Sequence, residues 1–120
     1  MSHIEIEQSL KDLSSLIVNG KMMDAFEKYY HDEVVMQDND LPATIGKDAN
    51  RKRELEFLNN VTDFRGAEVK GIATGEGISS VVWRFDYTHK EWGVMNYTQV
   101  AVQQWKDGKI IREKFIYSNN

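Results

Sequence analysis

The spacing of apolar residues changes along this chain, from helical in the first third to strictly alternating in the second half, and that switch admits few folds. Val81, Trp83, Phe85 and Tyr87 alternate with Val82, Arg84, Asp86 and Thr88, so residues 80–88 predict a strand with one apolar face. Residues 92–105 and 110–117 continue the strand pattern. Asp107-Gly108 between them is a two-residue hairpin signal, because both residue types tolerate left-handed geometry. A looser strand occupies 64–74 and ends at Gly75-Glu76-Gly77, and a further turn falls near His89-Lys90-Glu91.

The first half reads differently. Ile4, Ile6, Leu10, Leu13, Leu16 and Ile17 recur near helical spacing, predicting a helix over 3–19 that stops at Asn19-Gly20. Met22, Met23, Phe26, Tyr29 and Tyr30 predict a second short helix with one apolar face. A strand over 34–38 runs into the turn Asn39-Asp40-Leu41-Pro42. A third helix over 47–60 is expected to bury Ala49, Leu55, Phe57 and Leu58 and to expose its mixed charges. Together these elements predict an α+β fold, with about three helices on one face of a curved antiparallel sheet.

At 120 residues the chain is one domain, 1–120, with enough length for a real core. A net charge of −4 argues against a nucleic-acid surface, and the basic cluster Lys47, Arg51, Lys52, Arg53 is answered by Asp48, Glu54 and Glu56. The chain has no cysteine, so disulfides and thiolate metal sites are excluded. No apolar run approaches the roughly 18 residues of a membrane span, and no leader pattern opens the chain. The expectation is a cytoplasmic protein with neither membrane nor nucleic-acid partner. His3, His31 and His89 have no ligand-like spacing, and His31 is expected at a helix end, so no metal and no cofactor are expected.

Three segments carry a resemblance: Phe26-Glu27-Lys28-Tyr29-Tyr30-His31-Asp32-Glu33-Val34-Val35-Met36, the Ile45-Gly46-Lys47 entry to the third helix, and the Trp105-Lys106-Asp107-Gly108-Lys109-Ile110 hairpin. In these the chain resembles the SnoaL-like group of the nuclear transport factor 2-like superfamily. The resemblance implies a cone-shaped, cystatin-like α+β fold, a homodimer and a hydrophobic pocket inside the cone. It does not imply one reaction, because the fold hosts isomerases, dehydratases, cyclases and proteins without chemistry.

Asp38 matches the position of the base in the ketosteroid isomerase type of this fold, where an aspartate moves a proton on carbon. The partners of that base are replaced, since the tyrosine position falls near Ser14 and the oxyanion aspartate position near Ala101. Alternation supplies other groups. If Ala101 faces inward, Tyr97 and Gln99 share its face, and Glu113, Phe115 and Tyr117 share the matching face of the last strand. Asp38 and Glu113 would then be two carboxyls facing one cavity, with Tyr97 and Tyr117 as oxyanion donors. Met36, Trp83, Phe85, Gln99 and Phe115 complete a candidate ligand site. Against this, Asp38-Asn39-Asp40 also reads as a solvent turn, and Glu113 between Arg112 and Lys114 as a solvated strand residue. The readings left open are a hydrophobic-ligand binder, a cofactor-free isomerase, cyclase or dehydratase, and a dimer whose outer face carries Val82, Val100, Val102, Arg84 and Gln104.

Overall fold

The computed structural model describes residues 2–118. Helix α1 (His3–Val18) is opened by a capping box in which Ser2 and Glu5 satisfy each other's backbone N–H groups. Helix α2 (Met22–Tyr29) follows, then strands β1 (Tyr30–Asp38) and β2 (Thr44–Ile45), helix α3 (Lys47–Asn59), and strands β3 (Val61–Thr74), β4 (Ile78–His89), β5 (Gly93–Lys106) and β6 (Lys109–Tyr117). The six strands make one sheet in the order β2-β1-β6-β5-β4-β3.

The sheet departs from the expected all-antiparallel form in one place. Strands β1 and β6 run parallel, with Met36 opposite Glu113 and Asp38 opposite Phe115. This pairing brings the first and last strands together and places the end of β1 beside the middle of the sheet. Curvature arises on the other side. Strand β3 shifts register three times against β4, two of the shifts falling at Gly66 and Gly71, and such bulges bend and twist a strand. The Asp107-Gly108 hairpin forms as read, both residues at positive φ (55° and 80°).

Alternation decides the core. The inner face of β4 buries Val81, Trp83, Phe85 and Tyr87, against Ile6, Leu10 and Leu13 of α1 and Phe26 of α2. Each large apolar side chain so buried contributes about 1.5–3 kcal/mol. Helix α3 behaves otherwise. Ala49 and Leu55, expected inside, are exposed, and the residue it buries fully is Asn50. The cause is that α3 is docked by polar ties. The Asn50 amide donates to the carbonyls of Val34 (3.3 Å), Thr44 (3.0 Å) and Gly46 (2.8 Å), which seats the helix on β1 and β2. Arg51 binds Glu27 of α2 through two nitrogens, each at 2.9 Å. That rotation turns Glu54 toward the sheet, away from the solvated face on which its charge suggested it lay.

Two further expectations are corrected. Tyr30 is the first residue of β1, outside α2, and is buried. His31 likewise lies in β1, where its Nδ1 accepts from the backbone N–H of Glu33 at 3.0 Å, so it caps no helix.

Candidate functional site

The parallel pairing of β1 with β6 brings Asp38, at the end of β1, and Glu113, in β6, to the same face of the sheet, and helix α3, which carries a third carboxyl at Glu54, packs against β1. Their environments differ sharply.

Glu113 is 2% exposed, which overturns its reading as a solvated strand residue. Its side chain ends a buried chain of hydrogen bonds whose direction is fixed by chemistry. The Trp105 indole can only donate, and it donates to Ser79 Oγ at 2.8 Å. Ser79 donates to Gln103 Oε1 at 2.7 Å, and Gln103 Nε2 donates to Glu113 Oε2 at 2.8 Å. The Tyr30 hydroxyl donates to the other oxygen, Glu113 Oε1. Both oxygens of Glu113 are therefore held by protein donors. Burial raises its carboxyl to about 7, while the Tyr30 and Gln103 hydrogen bonds work against that rise.

Glu54 has no such support. It is partly covered and keeps some accessible surface. Burial and the charge of Glu113 raise its carboxyl to about 7, and neighbouring Arg53 only partly offsets them. Arg53 is engaged elsewhere, with Nη2 2.6 Å from Asp38 Oδ2 and Nη1 3.2 Å from Thr44 Oγ1. Asp38 thus belongs to neither extreme offered by the sequence. Its side chain, 23% exposed, sits at the rim as half of an ion pair.

The aromatic residues fall into two layers. Met36, Trp83 and Phe85 are buried and make a floor, with the Trp83 and Phe85 rings stacked at 5.2 Å. Tyr97, Gln99, Phe115 and Tyr117 are partly open above it. The Tyr97 ring lies 6.0 Å from Phe85 and 5.7 Å from Tyr117, and its hydroxyl is 2.9 Å from that of Tyr87. Burial raises the phenols of Tyr87, Tyr97 and Tyr117, and the charge of Asp38 adds to each rise. The same charge also acts on Glu54 and Glu113. Two surface grooves lie on the opposite, outer side. One, of about 220 Å³, is lined by Val35, Gln37, Val102, Gln104, Arg112, Glu113 and Lys114, and the other, of about 360 Å³, lies around Arg65 and Arg84.

Glu54, Arg53 and Tyr30 are the site residues that sequence reasoning missed. Glu54 sits in a charged run, Glu-Leu-Glu after Arg-Lys-Arg, that reads as a solvated helix face. The available signal is its spacing: Glu54 stands one turn beyond Asn50, the helix's buried residue. Among the described residues, no group of three or more His, Asp or Glu is arranged to hold a metal ion.

The model of the SnoaL-like domain family matches residues 2–117. A Mesorhizobium loti protein assigned as a SnoaL-like polyketide cyclase superposes with a TM-score of 0.81 at 26% identity, over 92% of this chain and 97% of that one. AclR from Streptomyces galilaeus, assigned as a hydroxylase, gives 0.78 at 15% identity, over 98% and 91%. A nuclear transport factor 2-like protein of unknown function from Burkholderia xenovorans gives 0.79 at 16% identity, over 100% and 88%. At those lower identities the likeness is one of fold alone. No curated protein matches the sequence.

Proposed function

This chain belongs to the SnoaL-like family, and from that premise we propose that its concave face binds a small, flat, hydrophobic molecule. The observation that carries this reading is the layered aromatic face. Met36, Trp83 and Phe85 make a buried floor, and Tyr97, Gln99, Phe115 and Tyr117 stay partly open above it. Stacking on such rings rewards a flat apolar ligand, and the Gln99 amide and two phenols supply hydrogen bonds that orient it. The test is a thermal-shift screen of small neutral aromatic molecules against the wild type and Gln99→Trp, which fills the opening. A binder raises the melting temperature of the wild type only. Equal responses in both proteins would rule out this face.

A second reading, cofactor-free isomerase, cyclase or dehydratase chemistry, is favoured by one observation. Two carboxyls lifted to about 7 beside phenol donors are poised to exchange protons at neutral pH. Asp38 would be the base, Tyr97 or Tyr117 the oxyanion donor and Glu113 the acid. The Arg53 pairing requires Asp38 to be released before it acts, and the two donors on Glu113 support a positioning role for that residue. With a substrate in hand, unchanged turnover in Asp38→Asn would remove Asp38 from the mechanism.

The outer face supports a homodimer. Val35, Val82, Val100 and Val102 are only partly covered there, and Ile116 is 47% exposed. Sedimentation of the wild type and Val100→Lys checks this, with a dimer expected only for the former. No helix is long and apolar enough to cross a membrane. A cytoplasmic location belongs to this proposal and is tested by imaging a tagged chain.

A further inference from the structure

We propose that His89 is a proton-sensitive clamp on the turn between β4 and β5. As a neutral ring it holds the turn against the end of α3, and on taking a proton it lets the turn go. His89 is 4% exposed, and its Nδ1 accepts from the backbone N–H groups of Glu91 at 3.1 Å and Trp92 at 3.4 Å. A nitrogen that accepts keeps its lone pair, so this geometry belongs to the neutral imidazole with its proton on Nε2. The same turn is fixed to the helix beside it. The N–H of Lys90 donates at 2.7 Å to the carbonyl of Asn60, the residue that ends α3. The Trp92 ring lies flat on the imidazole, with centroids 3.7 Å apart and planes 9° from parallel, although Trp92 is 57% exposed. The Phe57 ring of α3 has its centroid 6.1 Å from His89 and 6.3 Å from Trp92, so both rings rest against the helix.

A proton on Nδ1 changes this arrangement at one atom. In the charged ring both nitrogens donate, so the N–H groups of Glu91 and Trp92 lose their acceptor and face a hydrogen instead. The stack itself tolerates the charge, since a cation also rests well on an indole face. The change therefore falls on the backbone of the turn and on its tie to Asn60. The groups that pack on the ring or pair with its strand position are Phe57 of α3, Val61 of β3, Gly93 of β5 and Trp92, and none of them titrates. Charged groups on these elements are engaged or open to water. Lys90 and Glu91 in the turn and Glu56 beside Phe57 are exposed, and Asp63 and Arg65 of β3 pair with each other at 3.0 Å. Tyr87, the next inward residue of β4, shares a hydrogen bond with Tyr97. His89 is thus the group whose proton acts directly on the turn.

The experiment follows the intact protein by nuclear magnetic resonance from about pH 8.5 to about pH 5.5, the span in which histidine side chains change charge. The ring proton on Cε1 of His89 reports the charge. Hydrogen-exchange protection of the Glu91 and Trp92 amides, corrected for the intrinsic effect of pH, reports the turn. Both are expected to change with one midpoint, and protection to fall about fivefold or more on the acid side. His89→Asn keeps a side-chain oxygen for the same N–H groups but cannot take a proton, and its protection is expected to stay constant. A thermal melt shows whether this variant is folded, and the shared midpoint in the wild type is a test that does not depend on it. Protection that stays constant while the ring titrates overturns the proposal, as does a ring that takes no proton over this span. A fall of equal size in folded His89→Asn assigns the change to another group and overturns it as well.

Discussion

Tyr30 and Glu113, 83 residues apart in the chain, share a buried hydrogen bond across the one parallel strand pair of the sheet. The bond sets the inner carboxyl in place and ties the first strand to the last. Removing it in Tyr30→Phe leaves Gln103 as the sole donor to Glu113 and is expected to cost about 1–3 kcal/mol. Hydrogen bonds to ionised groups are the stronger ones, so the loss grows as Glu113 ionises. Urea denaturation at pH 5.5 and 8.5 checks this, and an equal loss at both values would show that the bond does not serve the charged form.

The pH dependence of stability gives a second test. In the folded protein the Glu54 carboxyl is raised to about 7 from its ordinary 4.5, so the folded state holds its proton more tightly than the unfolded state does. That contribution is complete below about 4.5 and is lost as pH rises through about 7. Glutamine cannot ionise. Glu54→Gln should therefore gain on the wild type between pH 5 and 8, by an amount on the order of 1–3 kcal/mol. The facing groups, Glu113, Asp38, Arg53 and Tyr30, are present in both proteins, so the difference reports Glu54 together with its coupling to them. A constant difference across that range would contradict the burial of this carboxyl.

Asn50→Ala tests how α3 is held. The substitution leaves the Val34, Thr44 and Gly46 carbonyls without their shared donor and should cost about 2–3 kcal/mol by chemical denaturation. A loss below that of an exposed alanine substitution would mean that apolar contacts dock the helix.

Asp38→Asn should do little to stability. Its ion pair with Arg53 is partly open to water, the side chains being 23% and 43% exposed, and such pairs contribute up to about 1 kcal/mol. The larger consequence falls on the site, because Arg53 is released next to Glu54. The Glu54 carboxyl, which the charge of Asp38 helps to raise, should titrate lower in this variant when followed by nuclear magnetic resonance, and an unchanged titration would mean that neither Asp38 nor Arg53 reaches Glu54.

What could be read from the sequence divides along physical lines. The alternation through Val81, Trp83, Phe85 and Tyr87 and the Asp107-Gly108 turn are local signals, and the structure follows them. The inward placement of Glu113 follows from the same period, counted from Ala101. The β1–β6 pairing joins segments at opposite ends of the chain and has no local signature, so the parallel pair was not legible. Helix α3 misled for a different reason. Its face is chosen by the Asn50 amide and by Arg51 and Arg53 finding carboxylates on other elements, and a charged helix without an apolar stripe does not announce which side turns inward.

The account's central claim is that the concave face is the binding face. Nuclear magnetic resonance shift mapping during titration with 2-phenylethanol tests it most directly. The account predicts saturable shifts gathered at Tyr97, Gln99, Phe115 and Tyr117 on the inner side. Shifts gathered instead around the outer groove at Val35, Gln37, Val102 and Gln104, or none that saturate, would contradict it.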